Sequence, residues 1–251
     1  MANPVDIELH ASGQETSDAS GAAVDLDSRG LRSAVQVTLT VTAITGSAVV
    51  FVETSPNGTT GWRSVGQFDA VAAVGRQSWS FDQCDRYARV RWGLTGSGAA
   101  MTFAVAGAAH VLYGEREDLA HEINAQALQN VDARIIARCR VKASCDAEAA
   151  LATGYEMPLT EWPESIGQRE AAIAVFLVMR HRGFKPGTTI DDLVVKAHDD
   201  AQRWLKDVGA GRIKPPGMTP TDNLGVKTSS GDPEYPQVYP SKFSNNWGDF
   251  G

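Results

Sequence analysis

The chain has 251 residues, of which 43% are hydrophobic and 21% are charged, and its formal net charge is -7. This length suits two ordinary domains or one large β domain. The negative charge argues against a protein that binds nucleic acid nonspecifically through a basic surface. No apolar run reaches the roughly 18 residues of a membrane-spanning helix.

The first residues and the cysteines indicate synthesis in a reducing cytoplasm. Residues 1–6 lack the basic and apolar segments of a secretory signal, so we expect no export. An odd number of cysteines leaves one unpaired in any disulfide scheme. We expect Cys84, Cys139 and Cys145 to be small buried hydrophobic residues.

Residues 1–113 form the first predicted domain, an antiparallel β-sandwich of jelly-roll type. Apolar side chains take every second position in residues 35–42, which is typical of a strand with one solvated face. Turn residues separate the strands at 55–58, 82–86 and 95–98. Further strands are predicted at residues 48–54, 75–81, 87–94 and 101–108.

Residues 114–215 form the second predicted domain, a small bundle of four helices, so that the predicted fold class is α+β with segregated domains. The last helix has the clearest signal. Thr189 and Asp192 give an N-cap pattern and Gly209 is a candidate C-cap. Its apolar stripe comprises Ile190, Leu193, Val194, Ala197, Ala201, Trp204, Leu205 and Val208.

Three earlier helices complete the predicted bundle. One covers residues 116–128. The next follows the candidate N-cap Asp132, and its apolar stripe comprises Ile136, Cys139, Ala143, Ala147, Ala150 and Leu151. The third opens at Pro163, contains the almost wholly apolar run 171–179, and ends at the basic cluster 180–182.

Residues 216–251 form the third predicted segment, an extended arm rich in proline, glycine, serine and asparagine. Aromatic side chains recur every four residues in it, and an even spacing places them on one face of an extended chain. They favour a contact with a neighbouring subunit or a portal protein. The alternative is that they fold back onto the bundle. The aromatic residues are Tyr235, Tyr239, Phe243, Trp247 and Phe250.

No motif in the sequence points to catalysis, a metal or a cofactor. The histidines lack His-x-x-x-His spacing, and neither a G-x-S-x-G elbow nor a G-x-x-x-x-G-K-[ST] phosphate loop is present. The glycine-rich residues 93–98 indicate a hairpin turn. The acid pairs 191–192 and 199–200 are expected on the solvated face of their helix. We therefore expect a protein that is not an enzyme.

The helical segment resembles the Mu-type family of phage head–tail connector (adaptor, head-completion) proteins. The resemblance rests on residues 149–159 and 162–164, on the apolar run 171–179, and on residues 197–205 and 209–213. Two departures are the β-rich residues in front of the helices and the Leu-Ala-Thr-Gly that precedes the tyrosine. The motif residues are Tyr155, Pro158, Leu159, Pro163, Trp204, Leu205, Gly209 and Gly211.

The resemblance implies a virion protein of the neck, assembled in the cytoplasm of a bacterial host. Its subunits would form a homo-oligomeric ring of about a dozen copies between the portal protein and the next neck or tail-completion protein. Double-stranded DNA would pass through the channel without specific binding, which suits an acidic subunit. No membrane partner is expected. The β domain would decorate the neck or brace neighbouring subunits.

Two other classes remain open. A phage binding module would recognise a glycan or a host surface through its β domain and use the helices only to oligomerise. Exposed clustering of Trp62, Trp79 and Trp92 on one face would favour it, whereas core or half-buried positions are the expectation. An enzyme would need convergent catalytic groups that the pattern does not show.

Overall fold

The computed structural model describes residues 4–27, 31–123, 125–183 and 189–221. These residues belong to one compact unit, which ends at Thr221, and residues 222–251 form a second unit outside the described part. In the first unit an antiparallel β-sheet precedes the helices. The predicted α+β class, with a β region followed by helices, is confirmed.

The β region is one seven-stranded sheet with the central order β1-β7-β4-β5. The short strands β2 and β3 pair with β7, and β6 pairs with β4. The strands are β1 (Val5–Glu15), β2 (Ala19–Ser20), β3 (Val24–Asp25), β4 (Arg32–Ser55), β5 (Arg63–Gln67), β6 (Gly75–Phe81) and β7 (Tyr87–Val111).

Two long strands, β4 and β7, pair along almost their whole length. Four of the predicted strands are halves of these two, and the turn predicted at residues 95–98 lies within β7 as an irregularity of register opposite Gly46. Gly46 has φ 82°, and a Cβ there would lie 2.4 Å from the carbonyl oxygen of Thr95. The glycines therefore bend a continuous ladder and do not end it.

The two halves of the sheet share one hydrophobic core. Trp92, in the first half of β7, contacts Phe103 of the second half, with ring centroids 5.3 Å apart. Phe68 and Phe81 meet in the same way at 5.6 Å. The predicted sandwich thus takes the form of a single sheet folded over its own apolar side chains.

The four predicted helices are present, the first as two short segments. They are α1 (Asp118–Glu122), α2 (Ala125–Leu128), α3 (Ala133–Leu151), α4 (Glu164–Arg182) and α5 (Thr189–Gly209). Asp132 caps α3, because its side chain accepts the N–H of Arg134 at 2.8 Å. Pro163 is the N-cap of α4 and not its first helical residue, and the basic cluster 180–182 occupies the last turn.

Two expectations about α5 are corrected. Gly209 is the last helical residue, and the left-handed conformation predicted for it is found at Gly211, with φ 72°. Leu193 belongs to the predicted apolar stripe yet is 61% exposed, whereas Val194 and Leu205 are buried. One member of the stripe therefore lies outside the core of the bundle.

The polar and cysteine positions also differ in part from expectation. Asp191 was expected on the solvated face of its helix but is buried, whereas Asp192 and Asp199 are exposed. Of the three cysteines, Cys84 is buried, Cys139 is half-buried and Cys145 is exposed. The expectation of three buried cysteines is therefore confirmed for Cys84, met in part for Cys139 and wrong for Cys145.

Candidate assembly site

The chain leaves the sheet through Tyr113 and Gly114, and the carboxylate of Glu170 on α4 holds both. Its Oε2 accepts the N–H of Tyr113 at 2.5 Å and that of Gly114 at 2.8 Å. The indole Nε1 of Trp162 donates to the carbonyl oxygen of Tyr113 at 2.8 Å. Both the N–H groups and a carbonyl oxygen of the first residues after the sheet are therefore hydrogen-bonded to side chains of the helical region.

Arg140 on α3 joins the sheet to the helices from the other side. Its Nη1 donates to Asp82 Oδ2, just after β6, at 2.6 Å, and its Nη2 donates to the carbonyl oxygen of Gly114 at 2.5 Å. Both side chains of the ion pair are nearly inaccessible to solvent, at 4% and 5%. Arg116 also reaches Asp82, at 3.3 Å. We call Asp82, Gly114, Arg140 and Glu170 the junction.

Burial raises the pKa of the Glu170 carboxyl to about 7. The charge of Arg140 and the two backbone N–H groups act in the opposite direction and lower that pKa. Because only 1% of the residue is exposed, water contributes little to its charged form. The junction thus contains an acid that titrates in the neutral range.

The family motif between α3 and α4 packs around the ring of Tyr113. The hydroxyl of Tyr113 donates to Glu148 at 2.7 Å and accepts the N–H of Leu159 at 3.3 Å. Tyr155 and Leu159 are buried and Pro158 is half-buried. These motif residues therefore shape the connection that holds the junction, which is a structural role.

The remaining motif residues bring the ends of α3 and α5 together. A Cβ added to Gly209 would lie 2.1 Å from the carbonyl oxygen of Ala150, and one added to Gly154 would lie 2.4 Å from that of Gly209. Leu205 is buried, and Trp204 is half-buried with the guanidinium of Arg169 5.6 Å from its ring. The two glycines permit a backbone approach that no side chain allows.

An apolar groove of about 830 Å³ opens between α1, α2, α4 and the first half of α5. Three alanines, Ala127, Ala172 and Ala197, leave the space, and the exposed Leu193 stands at its edge. Its volume falls in the range of about 300–1,000 Å³ that is usual for binding pockets. Its other lining residues are Glu122, Ile123, Val175, Met179, Asp191 and Val194.

Charged side chains of both signs lie at this groove. The guanidinium of Arg182, in the last turn of α4, donates to the carbonyl oxygen of Ala127, a lining residue, at 2.6 Å. The carboxyl groups of Glu122 and Asp191 belong to the lining itself. The groove is therefore mainly apolar, with one cation at its side and two acidic residues in its lining.

The helical part of the chain is similar to a known phage protein family. Residues 111–229 match the family model described as Bacteriophage Mu, Gp36. The chain therefore contains a Gp36-family domain that starts at the last residue of β7 and includes the groove and all eight motif residues. The resemblance to a Mu phage family is confirmed over this range, and the protein is phage-related.

Other comparisons add little to the Gp36 match. The crystal structure of PBSX exported protein XepA matches with a TM-score of 0.30 and 22% identity, over 45% of this chain and 40% of that chain. The chain thus spans two fifths of the XepA chain, and the likeness is too low to support an argument. No curated protein matches the sequence.

The other sequence-predicted residues do not converge on a site. The five aromatic residues from Tyr235 to Phe250 lie outside the described residues, so their predicted contact stays a prediction. Trp92 is buried, and the half-buried Trp62 and Trp79 each lie beneath an arginine. The exposed tryptophan cluster that would favour glycan binding is therefore absent from the described part of the sheet.

The titratable residues considered for chemistry are dispersed. Each of the five histidines lies on a different element, namely β1, β7, α1, α4 and α5. Among the described residues, no three His, Cys, Asp or Glu side chains form a group that would hold a metal ion. No helix in the described ranges combines the length and apolar character needed to cross a membrane.

Proposed function

We propose that the protein is a structural subunit of a phage neck. Copies assemble into a closed ring, of about a dozen by analogy with the resembled connectors, between the portal protein and the next neck or tail-completion protein. The Gp36-family match carries the proposal, because it falls on the region that contains the junction and the groove. This role requires no catalytic group and no cofactor.

The apolar groove supports assembly. Large apolar depressions on a soluble domain mark surfaces that bind another molecule. A closed ring needs two different patches on each subunit, because the contact between neighbours is head to tail. The groove is one such patch, and the arm formed by residues 216–251 provides a second.

The junction supports a ring subunit that carries its sheet as a fixed part. The buried Arg140–Asp82 pair and the Glu170 hydrogen bonds join the sheet to α3 and α4. A sheet held in this way extends the ring subunit and is available to brace a neighbour. The net charge of -7 suits a channel through which double-stranded DNA slides without sticking.

The first experiment is native mass spectrometry of the full-length protein with and without the portal protein of its own phage. We expect a closed ring of defined stoichiometry on the portal. The matched variant replaces the five arm aromatics with serine in the full-length chain, and we expect it to lose the ring while it keeps its circular dichroism spectrum. A monomer that ignores the portal at micromolar concentrations contradicts the proposal.

Electron microscopy of the particle gives an independent check of location. Antibody fragments against the sheet are expected to label the neck of tailed particles. Label on the tail fibres or on the capsid surface contradicts a neck protein and supports the surface-binding alternative.

A further inference from the structure

We propose that the apolar groove of one copy binds the aromatic part of the C-terminal arm, residues 235–250, of the neighbouring copy. This inference rests on the proposed ring, and it names the two surfaces that meet within it. The occupant is a segment of this same chain, supplied by a second subunit.

The groove has the size and chemistry for aromatic side chains. Its base consists mainly of apolar side chains, and the three alanines provide depth without polar atoms. Aromatic side chains bury roughly 150–250 Å² each and are the commonest anchors of protein interfaces. At about 830 Å³ the groove accommodates two or more such anchors.

The arm has a matching pattern. Four aromatic residues, from Tyr235 to Trp247, recur every four residues, and Phe250 follows. Pro236 and Pro240 disfavour a helix and favour an extended peptide, in which evenly spaced side chains share one face. An extended peptide with aromatic anchors is a usual ligand of an apolar groove.

The charged groups of the two surfaces can pair. The aromatic part of the arm carries one cation, Lys242, and one carboxylate, Asp249, which stands between the last two aromatic residues. The groove has the carboxylates of Glu122 and Asp191 in its lining and the guanidinium of Arg182 at its side. For each charged group of the arm, the groove therefore has a group of opposite charge.

The groove and the base of the arm lie toward opposite ends of α5. The groove is lined by residues 191–197 in the first half of α5, whereas the arm starts beyond the other end of this helix. The N–H of Thr221 donates to the carbonyl oxygen of Gly154 at 3.0 Å, which fixes the base of the arm there. Residues 197 to 209 alone separate the two ends by roughly 18 Å at 1.5 Å per residue.

The remaining chain is long enough to reach the next subunit. About 30 residues follow Thr221 and span at most roughly 100 Å when extended. As a flexible chain the same length has a root-mean-square reach of about 30 Å. The tether can therefore reach a groove on its own subunit or on an adjacent one, and the proposed ring, which needs contacts between copies, selects the adjacent one.

A photo-crosslink tests the contact directly. Leu193 is replaced by benzoylphenylalanine in the full-length protein, and equal amounts of ¹⁴N-labelled and ¹⁵N-labelled protein are co-assembled. We expect crosslinks to residues 235–250, with mixed-isotope pairs among them, because the arm comes from another copy. Only same-isotope arm crosslinks would show that the arm folds back onto its own groove and would overturn the proposal.

Two matched substitutions test the energetics. Leu193→Asp places a charge in the groove, and Val74→Asp places one at a loop of similar exposure, at 62%, outside it. We expect Leu193→Asp to raise the concentration for half-assembly at least about tenfold and Val74→Asp to leave it within about twofold. Equal effects of the two substitutions overturn the proposal.

The outcomes separate this inference from the proposed function. If rings form on the portal but crosslinks from position 193 reach another surface of the neighbour, the groove–arm contact is wrong and the ring role stands. If no ring forms while a labelled peptide of residues 233–251 still binds the full-length protein and Leu193→Asp abolishes that binding, the contact stands and the neck role is wrong.

Discussion

The sheet and the helical region differ in how their half-exposed apolar side chains are covered. Three aromatic rings of the sheet lie beneath guanidinium groups, with Arg89 4.1 Å from Trp62, Arg91 4.2 Å from Phe51, and Arg134 of α3 4.0 Å from Trp79. The helical region has one such pair, Arg169 and Trp204 at 5.6 Å, and it also contains the apolar groove, beside which Leu193 is 61% exposed.

This difference supports the proposal that the protein assembles through its helical region. An aromatic ring beneath an arginine has one face covered by the guanidinium group, and that group presents its charge to solvent. The apolar side chains that line the groove, in contrast, remain accessible to another molecule. All residues that line the groove lie within residues 111–229, the range that matches the Gp36 family.

The largest expected effect is on the junction that joins the two regions. Arg140→Ala removes the closer of the two arginine partners of the buried Asp82 and leaves Arg116 at 3.3 Å. Breaking a buried ion pair costs about 3–5 kcal/mol, and we expect a loss toward the lower end of this range because Arg116 remains. Urea unfolding followed by circular dichroism measures the loss. The control is Arg203→Ala, which removes an exposed pair with Asp200 and costs less than about 1 kcal/mol. Equal losses in the two variants contradict a junction that supports both regions.

The next effect is the pH dependence that Glu170 gives the junction. Its folded-state pKa of about 7 lies above the usual 4.5, so between these values the folded protein binds the proton more tightly than the unfolded chain does. The free energy of unfolding contributed by this group therefore falls as pH rises through this window and levels off above pH 7. The interval corresponds to about 3 kcal/mol.

Glu170→Gln isolates this contribution, since glutamine retains an acceptor oxygen and does not titrate. We expect the stability of the variant relative to the native protein to increase from pH 5 to pH 8, as measured by urea unfolding at each pH. A difference that stays constant over this range would show that Glu170 keeps its usual pKa in the folded protein.

A smaller effect is expected inside the helical region. Gly209→Ala forces a methyl group against the carbonyl oxygen of Ala150, and overpacking costs about 1–3 kcal/mol. Thermal unfolding compares it with Gly75→Ala in the sheet, where a Cβ meets nothing within 4 Å. If the two variants have the same Tm, α3 and α5 have room to separate, and the close contact at Gly209 is not required for stability.

The smallest effect concerns the arginine cover of the sheet. Arg89→Ala exposes the ring of Trp62 and removes one of the two guanidinium partners of Glu53, for a loss of about 1 kcal/mol. Arg76→Ala, at an exposed position of β6, is expected to change stability by less than about 0.5 kcal/mol. If Arg89→Ala does not lower the free energy of unfolding more than Arg76→Ala does, the contact between Arg89 and Trp62 does not stabilise the sheet.

The sequence predicts the class of each region but not the continuity of the sheet. Alternation and helical periodicity locate β4, β6, β7 and all the long helices, because burial imposes those periods locally, but they do not locate β1, β2, β3 and β5. Gly46 and the glycines near residue 97 have the composition of turns, yet their partner strand continues past them. Strand β1 was missed although Val5, Ile7 and Leu9 alternate with polar residues, since irregularities after Glu8 and His10 shorten the pattern.

The candidate site was less accessible to sequence analysis. Leu193 fits the apolar stripe of α5 by spacing, and only the placement of α1, α2 and α4 leaves it uncovered. Glu170 borders the apolar run 171–179, which is a signal of burial, whereas Arg140 is one of several charged residues of α3 and carries no such signal. Their partners Gly114 and Asp82 are distant in sequence. Long-range pairs of this kind depend on tertiary structure and have no local pattern.

Helix α3 connects the base of the arm to the sheet, so it would transmit a mechanical load between them. Just beyond its C-terminal end, the carbonyl oxygen of Gly154 holds Thr221, the last described residue before the arm. Near the middle of this helix, Arg140 holds Asp82, which directly follows strand β6. A load applied at Thr221 would therefore reach the sheet through this one helix. If the proposed contact between arm and groove forms, a subunit that binds the arm would also bear on the sheet of the subunit that supplies it.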